Sequence, residues 1–208
     1  TERVYTGLKK AKPIYDAAVD GREADYTAYC RRLGIPGGYA DTADFCKRYF
    51  FDRNNPNSLA SSLVYAYDNA VVLRDTLTTD TLSYIQLAMN AMEKAAQCDT
   101  PAVALQWVLD DIRAFRGACE ETIFDEETRS MIKLGTSVER VDLYLRLNEA
   151  PETTRKEFER LFNRLYKTQL TPDRNRLALL VDSLLDSSKP AAAVSEQIAA
   201  LESLFLDL

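Results

Sequence analysis

A chain of 208 residues with 46% hydrophobic and 28% charged side chains has the composition of an ordinary globular protein and is long enough to bury a real core. It holds no histidine, which excludes Ser-His-Asp and Cys-His sites, His-ligated metals and di-iron bundles built on Glu-x-x-His. The net charge is −6 and residues 80–127 carry ten acidic against three basic side chains, so nucleic acid, which needs a basic footprint, is not an expected partner.

In chain order, residues 2–18 have helical periodicity with Val4, Leu8 and Ala11 on one side, and Pro13 is expected to bend that helix or end its first part. Two short helices are expected at 25–33 and 41–50. Between them Gly34-Ile35-Pro36-Gly37-Gly38 is a breaker that lacks the lysine and hydroxyl of a phosphate-binding loop. Residues 51–57 read as a loop, and Asn57 or Ser58 caps a long helix over 58–77 with the stripe Leu59, Leu63, Ala66, Ala70, Leu73 and Leu77. Arg74 lies at the edge of that stripe. Thr78 or Thr79 caps the next helix, which packs through Leu82, Ile85, Met89, Met92 and Ala96. Thr100-Pro101 reads as a cap with proline at the first helical position, ahead of a helix that turns Leu105, Val108, Ile112, Phe115 and Cys119 inward.

Residues 125–148 organise the expected architecture. Met131, Leu134, Val138, Val141 and Leu145 make one apolar stripe, and Ile132, Thr136, Leu143 and Leu147 make a second on nearly the opposite side. A helix apolar on two sides sits inside a bundle. Glu139 and Arg140 flank the second stripe, where a charge taken out of water needs a partner. Glu139 is therefore expected to meet an arginine of another helix, Arg74 first and Arg3 second. Ala150-Pro151 ends this helix, and Thr153 or Thr154 starts another with Phe158, Leu161, Phe162 and Leu165. Thr171-Pro172 repeats the cap-then-proline device ahead of Leu177, Leu180, Val181 and Leu184, and 187–190 links to a last helix with Val194, Ile198, Leu201 and Phe205. No stretch alternates with strand period for long enough. The expectation is an all-α, up-and-down multi-helix bundle: one domain over 1–208, with short helices at 1–57, long central ones at 58–148 and further helices at 150–208.

The four cysteines, Cys30, Cys46, Cys98 and Cys119, lack zinc-ligand spacing and fall within helices or at their ends. They read as buried reduced thiols and point to a cytoplasmic protein. No signal peptide is evident, and no apolar run approaches the ~18 residues of a membrane span, so no membrane association is expected. The chain starts at Thr1 already in helical pattern and reads as a piece of a longer protein.

Residues 2–9, ERVYTGLK, and 139–146, ERVDLYLR, share Glu, Arg, Val and a Leu at an offset of 137. Two helices are thereby expected to present the same Glu-Arg pair toward a shared interior. One further block comprises Phe115-x-Gly117 through Thr122, Leu134-Gly135 ahead of Glu139-Arg140, and the Leu145-Arg146 region. Another comprises Asn55-Pro56-x-Ser58, Ser62, Asn69-Ala70, Leu73-Arg74-Asp75 and Gln86. Through these residues the chain, from its start to about Asn148, resembles the alpha-E domain family, bacterial all-helical proteins named for a Glu-Arg motif. It departs from the family pattern at Tyr67, Val71 and Thr136, where arginines are usual, at Leu82 and Arg129, where tryptophans are, and at Asp80, where a glutamate is. The resemblance implies a family without an assigned reaction whose genes accompany ATP-grasp proteins and transglutaminase-like peptidases. It further implies a role beside an ATP-dependent amide-ligating, peptide-modifying system, with either of those proteins as a partner and no cofactor.

Each candidate residue carries two readings. Glu139 and Arg140, with Glu2 and Arg3, position a carboxylate or amine substrate, or they form buried ion pairs that register helices. Arg74 is an anion clamp, or a side chain whose stem covers apolar surface. Asn69 binds a ligand, or satisfies backbone at a helix crossing. Tyr65, Tyr67, Tyr84 and Tyr144 line a pocket, or give the core phenolic edges. The pairs Asp110-Asp111, Glu120-Glu121 and Glu126-Glu127 diverge on a helix and read as solvated acids rather than metal ligands. Three functional classes follow: an auxiliary binding component, an enzyme using Glu-Arg pairs for amide or amino-group chemistry, and a general helical adaptor.

Overall fold

The computed structural model describes residues 1–98 and 101–205, and among these it holds ten α-helices and no strand. The chain is all-α. It divides into two compact units, Thr1–Phe124 and Asp125–Leu208, and the boundary falls inside the expected 58–148 centre, just ahead of its organising helix.

The first unit holds α1 (Glu2–Val19), α2 (Tyr26–Leu33), α3 (Thr42–Phe51), α4 (Leu59–Val72), α5 (Thr79–Gln97) and α6 (Ala102–Thr122). Pro13 does not end α1, which runs through it. Proline leaves the carbonyl four residues back without its helical donor, here that of Lys9, and both residues are on the exposed side where water can replace the bond. On the inner side Gly7 lets α4 come close: a Cβ there would lie 2.6 Å from Leu59 Cδ2. The side chains of Asp25, Asp41, Ser58 and Thr78 cap α2, α3, α4 and α5, each accepting from a backbone N–H in the first turn. Tyr26, Tyr29, Phe45, Tyr49 and Phe50 pack as a ring cluster, with Phe45 stacked on Tyr49 at 5.0 Å and the Tyr29 and Tyr49 hydroxyls 3.1 Å apart.

Three expectations change here. Helix α4 stops at Val72, not at residue 77: Val71, Val72 and Leu73 are exposed, so nothing apolar carries the helix onward, and two β-branched residues in succession weaken it. Helix α5 buries Thr81, Ile85, Ala88, Met92 and Ala95, a stripe rotated slightly from the expected one, which leaves Ala96 exposed and Met89 half-buried. Helix α6 starts at Ala102 with Pro101 as its N-cap residue, and its buried face is Ala104, Leu105, Val108, Ile112 and Cys119, with Phe115 half-buried. The expected Thr100 cap lies outside the described residues.

The second unit holds α7 (Glu126–Arg146), α8 (Pro151–Leu165), α9 (Arg174–Leu184) and α10 (Val194–Glu202). Asp125 caps α7, and Leu134, Val141 and Leu145 pack with Phe158, Leu161, Leu165, Leu180, Leu201 and Leu204 in one core. Met131, expected on that stripe, is exposed, one turn above the point where the core closes. Of the second stripe Leu143 is buried, while Ile132, Thr136 and Leu147 are half-buried. After α7 the backbone reverses through Asn148 at φ 54, a left-handed conformation that asparagine tolerates. Pro151 does more than end α7. It opens α8 at the first helical position, where its missing N–H costs nothing, so neither Thr153 nor Thr154 is the cap. Likewise Asp173, not Thr171, caps α9, accepting from the N–H groups of Asn175 and Arg176.

Candidate functional site

In the first unit Glu2 is 5% exposed, and both of its carboxylate oxygens are bonded. Thr6, one turn on along α1, donates to Oε1 at 2.6 Å, and Arg116 Nη2 of α6 donates to Oε2 at 2.6 Å. The Arg116 guanidinium also lies 4.5 Å from the Tyr5 ring centre, and Arg113 Nε donates to the Tyr5 hydroxyl at 3.1 Å. Arg3, the other half of the dipeptide, is exposed. Neighbours on a helix point about 100° apart, so burying one turns the other away.

In the second unit the buried acid is Glu157 of α8, 3% exposed. Ser137 Oγ of α7 donates to its Oε1 at 2.7 Å and Arg160 Nη1 to its Oε2 at 2.9 Å. Arg140 Nη1 is 3.7 Å from Oε2 and Arg164 Nη1 is 4.0 Å from Oε1. Arg164 Nη1 in turn donates to Ser137 Oγ at 2.5 Å and to the Lys133 carbonyl at 2.8 Å. A carboxylate taken out of water costs several kcal/mol unless it is paired and hydrogen-bonded, and this cluster supplies both. Further along α7, Arg146 Nε donates to both Asp142 oxygens, at 2.9 and 3.0 Å, and Arg146 Nη2 reaches Glu202 of α10.

The sequence candidates fall in different places. Glu139 and Arg140 are half-buried on α7, and an ion pair at 3.7 Å brings Arg140 to the Glu157 cluster. Arg74 lies past the end of α4 with 72% of its side chain exposed, its Nε 4.0 Å from Asp75 Oδ1. Asn69 is exposed on the last turn of α4, where its carbonyl accepts from the N–H of Leu73 at 3.2 Å. Glu2, Arg3, Asn69 and Arg74 belong to the first unit, Glu139 and Arg140 to the second. The repeated ERV-x-x-x-L pattern marks equivalent buried faces, since Val4, Val141, Leu8 and Leu145 are all core residues, while Glu2 is buried and Glu139 only half so.

The block Asn55-Pro56-x-Ser58 with Ser62 builds the corner between α3 and α4. Asn55 Nδ2 donates to the Arg48 carbonyl and to the Tyr39 hydroxyl, Ser58 Oγ accepts from the Ser61 N–H at 2.9 Å, and Ser62 Oγ donates to the Ser58 carbonyl at 2.9 Å. Of the four tyrosines singled out, Tyr144 lines a 560 Å³ cleft of the second unit beside Asn148, Ser183 and Gln197. Tyr65 is exposed, and Tyr67 and Tyr84 are half-buried. All four cysteines are free, and Cys98, which follows α5 in extended conformation, is exposed rather than buried as expected. Burial pushes the thiols of Cys30, Cys46 and Cys119 up to about 11.

Glu157, Ser137, Arg164 and Arg116 were not legible as site residues. One signal was available: Glu159-Arg160 is a third Glu-Arg dipeptide, and Arg160 and Arg164 stand three and seven residues after Glu157, on one helical face.

The family model Alpha-E, a predicted alpha-helical domain with a conserved ER motif, matches residues 17–189. The matched region starts after Glu2-Arg3 and contains both Glu139-Arg140 and Glu159-Arg160. No curated protein and no solved structure gives a match. Among the described residues no helix is long and apolar enough to cross a membrane. With its two units built wholly from helices and the match extending over most of its length, the chain belongs to the Alpha-E family.

Proposed function

We propose that this chain is a bacterial, cytoplasmic binding component of an ATP-grasp-associated, peptide-modifying system, and that it supports amide ligation through protein contacts rather than through chemistry of its own. One observation carries this reading: the carboxylates buried around the Glu-Arg dipeptides are consumed by the fold. Both oxygens of Glu2 and both of Glu157 accept hydrogen bonds from side chains of their own unit, which leaves neither as an open acid or base. Groups so engaged fix helix register, a use well matched to a scaffold. The ATP-grasp association rests on the family resemblance and is a matter for experiment.

Co-expression with an ATP-grasp protein or transglutaminase-like peptidase encoded beside it tests the proposal. Co-elution from a sizing column is expected, along with faster or more complete peptide modification when the chain is present. Absence of a complex at micromolar concentrations, or turnover of a peptide by the chain alone, overturns it.

A further inference from the structure

The 560 Å³ cleft of the second unit is lined by the end of α7 and the start of α8 together with the connection from α9 to α10. Two of its side chains are polar and almost wholly buried: Thr154 of α8, 4% exposed, and Gln197 of α10, 5% exposed. Gln197 Nε2 donates to the Ala192 carbonyl at 2.8 Å, which fixes the orientation of the side-chain amide and leaves Oε1 on its other side. Among the described residues neither Gln197 Oε1 nor Thr154 Oγ1 has a hydrogen-bond partner, and neither atom is sealed from solvent. Both oxygens therefore open onto the cleft. Buried polar side chains are nearly always hydrogen-bonded, so two exceptions from different helices in one cavity mark a place that something outside the fold completes.

The rest of the lining limits what that is. Leu145, Pro151, Leu184 and Val194 supply apolar wall. The charged groups at the edge are paired: Arg155 lies 3.3 Å from Glu152, and Lys189 lies 2.8 Å from Asp182 and 4.0 Å from Asp186. No cluster of one sign is offered to an ionic ligand. Water can meet the two oxygens but leaves the apolar wall wet, whereas a ligand with an apolar body covers both. Gln197 Oε1 only accepts, which calls for an N–H or O–H, and the Thr154 hydroxyl can donate to a carbonyl. An amide carries both. A carboxylate has no hydrogen to give Gln197, and an ammonium finds Glu152 and Asp186 already paired.

We infer that this cleft binds a small, uncharged ligand bearing an amide, of the size of a capped amino acid, whose N–H donates to Gln197 Oε1 and whose carbonyl accepts from Thr154 Oγ1. A branched apolar group on the ligand lies against Leu145, Pro151, Leu184 and Val194. The volume is in the range of small-molecule sites, and an apolar lining with a few convergent polar atoms is their usual composition. The inference does not depend on the ATP-grasp proposal, since its ligand binds the chain without a partner protein.

An NMR titration of the whole 208-residue chain, following backbone and side-chain amides, tests the inference with N-acetyl-leucinamide as probe. Saturable shifts confined to the second unit and including the Gln197 side-chain amide are expected, with a dissociation constant of about 1 mM for a ligand of this size. The same probe with every amide nitrogen methylated has no N–H to give and should bind several-fold more weakly. Thr154→Val keeps the shape and removes the hydroxyl, and should weaken binding about three- to tenfold, the factor one neutral hydrogen bond is worth. Because that hydroxyl has no partner in the fold, the melting temperature of Thr154→Val should equal or exceed that of the parent. Ala191→Trp, which places an indole at an exposed position of the lining, should abolish binding. The inference is overturned by no saturable shift at tens of millimolar probe, by shifts confined to the first unit, or by equal affinity for the methylated probe. Undiminished affinity in Thr154→Val or Ala191→Trp overturns it too, as does a lowered melting temperature in Thr154→Val, which would place the hydroxyl in a bond within the fold.

Discussion

Glu157 carries the heaviest electrostatic demand in the second unit, with three arginines converging on one buried carboxylate. Glu157→Gln keeps the shape and removes the charge, leaving Arg140, Arg160 and Arg164 facing one another. Breaking a buried pair costs ~3–5 kcal/mol, and because these guanidinium groups reach water in part, a loss of ~2–3 kcal/mol in a urea titration is the expected result. A variant as stable as the parent would show that the cluster contributes nothing to folding. The cysteines give a second, independent readout. A thiol pushed up to about 11 by burial holds almost no thiolate at neutral pH, so Cys30, Cys46 and Cys119 should resist a maleimide that labels exposed Cys98 within minutes. Uniform labelling of all four in the native protein would contradict the packing of α2, α3 and α6. At this scale the sequence was least informative. The Glu139-Arg140 dipeptide is visible in the sequence because it flanks an apolar stripe and repeats the pattern of residues 2–9. Glu157 acquires its role only once α8 is laid against α7 and Ser137 is brought within 2.7 Å, a distance that no spacing encodes.

At the scale of elements, the helices themselves were legible because 3.6-residue periodicity is a local property, and so were the caps Ser58 and Thr78, each one of two neighbouring residues the sequence offered, where a side chain answers its own first turn. Ends were less legible where a proline was read as a stop. Pro13 sits within α1 and Pro151 begins α8, because proline is excluded only where its missing N–H and its ring meet a helix that cannot adjust. The overlong reading of α4 failed for a different reason: its apolar stripe continues in sequence to Leu77, but Leu73 is exposed and the stripe is not buried without a break. The crossing of α1 over α4 gives the prediction at this scale. Gly7→Ala would improve intrinsic helix propensity by about 1 kcal/mol, yet its methyl would fall 2.6 Å from the buried Leu59. Overpacking a tight core costs ~1–3 kcal/mol, so a net loss of ~1–2 kcal/mol is expected, read as a lower melting temperature. Relief by Leu59→Val in the same chain would place the clash at that contact, and a stabilised Gly7→Ala would refute it.

At the scale of the molecule, the absence of histidine fixes the shape of the pH response. Hydrogen bonds from Ala28 and Thr128 hold the capping carboxyls of Asp25 and Asp125 below the ordinary carboxylate range. Their stabilisation is therefore complete above about 4, the unfolded value, and is lost as pH falls through the lower folded one. Burial pushes the Tyr29 phenol up to about 12, so its neutral form stabilises the fold below about 10, and that contribution is lost as pH rises through the folded value. With no histidine to titrate, melting temperatures should be flat from about pH 5 to 8, above which the thiols of Cys30, Cys46 and Cys119, held neutral by burial, begin to lose their stabilising contribution. A step near pH 6–7 would overturn this expectation. The boundary between the two compact units, at Phe124-Asp125, carries no glycine, proline-rich or low-complexity linker to announce it. Trp107, the sole tryptophan, stands half-exposed on α6 with the Lys94 ammonium 4.6 Å from its ring centre. An indole so placed is expected to emit much as it does in water, so unfolding should shift its fluorescence little, and the tyrosine cluster of α2 and α3, followed by near-ultraviolet circular dichroism, should be the better witness to the loss of packing.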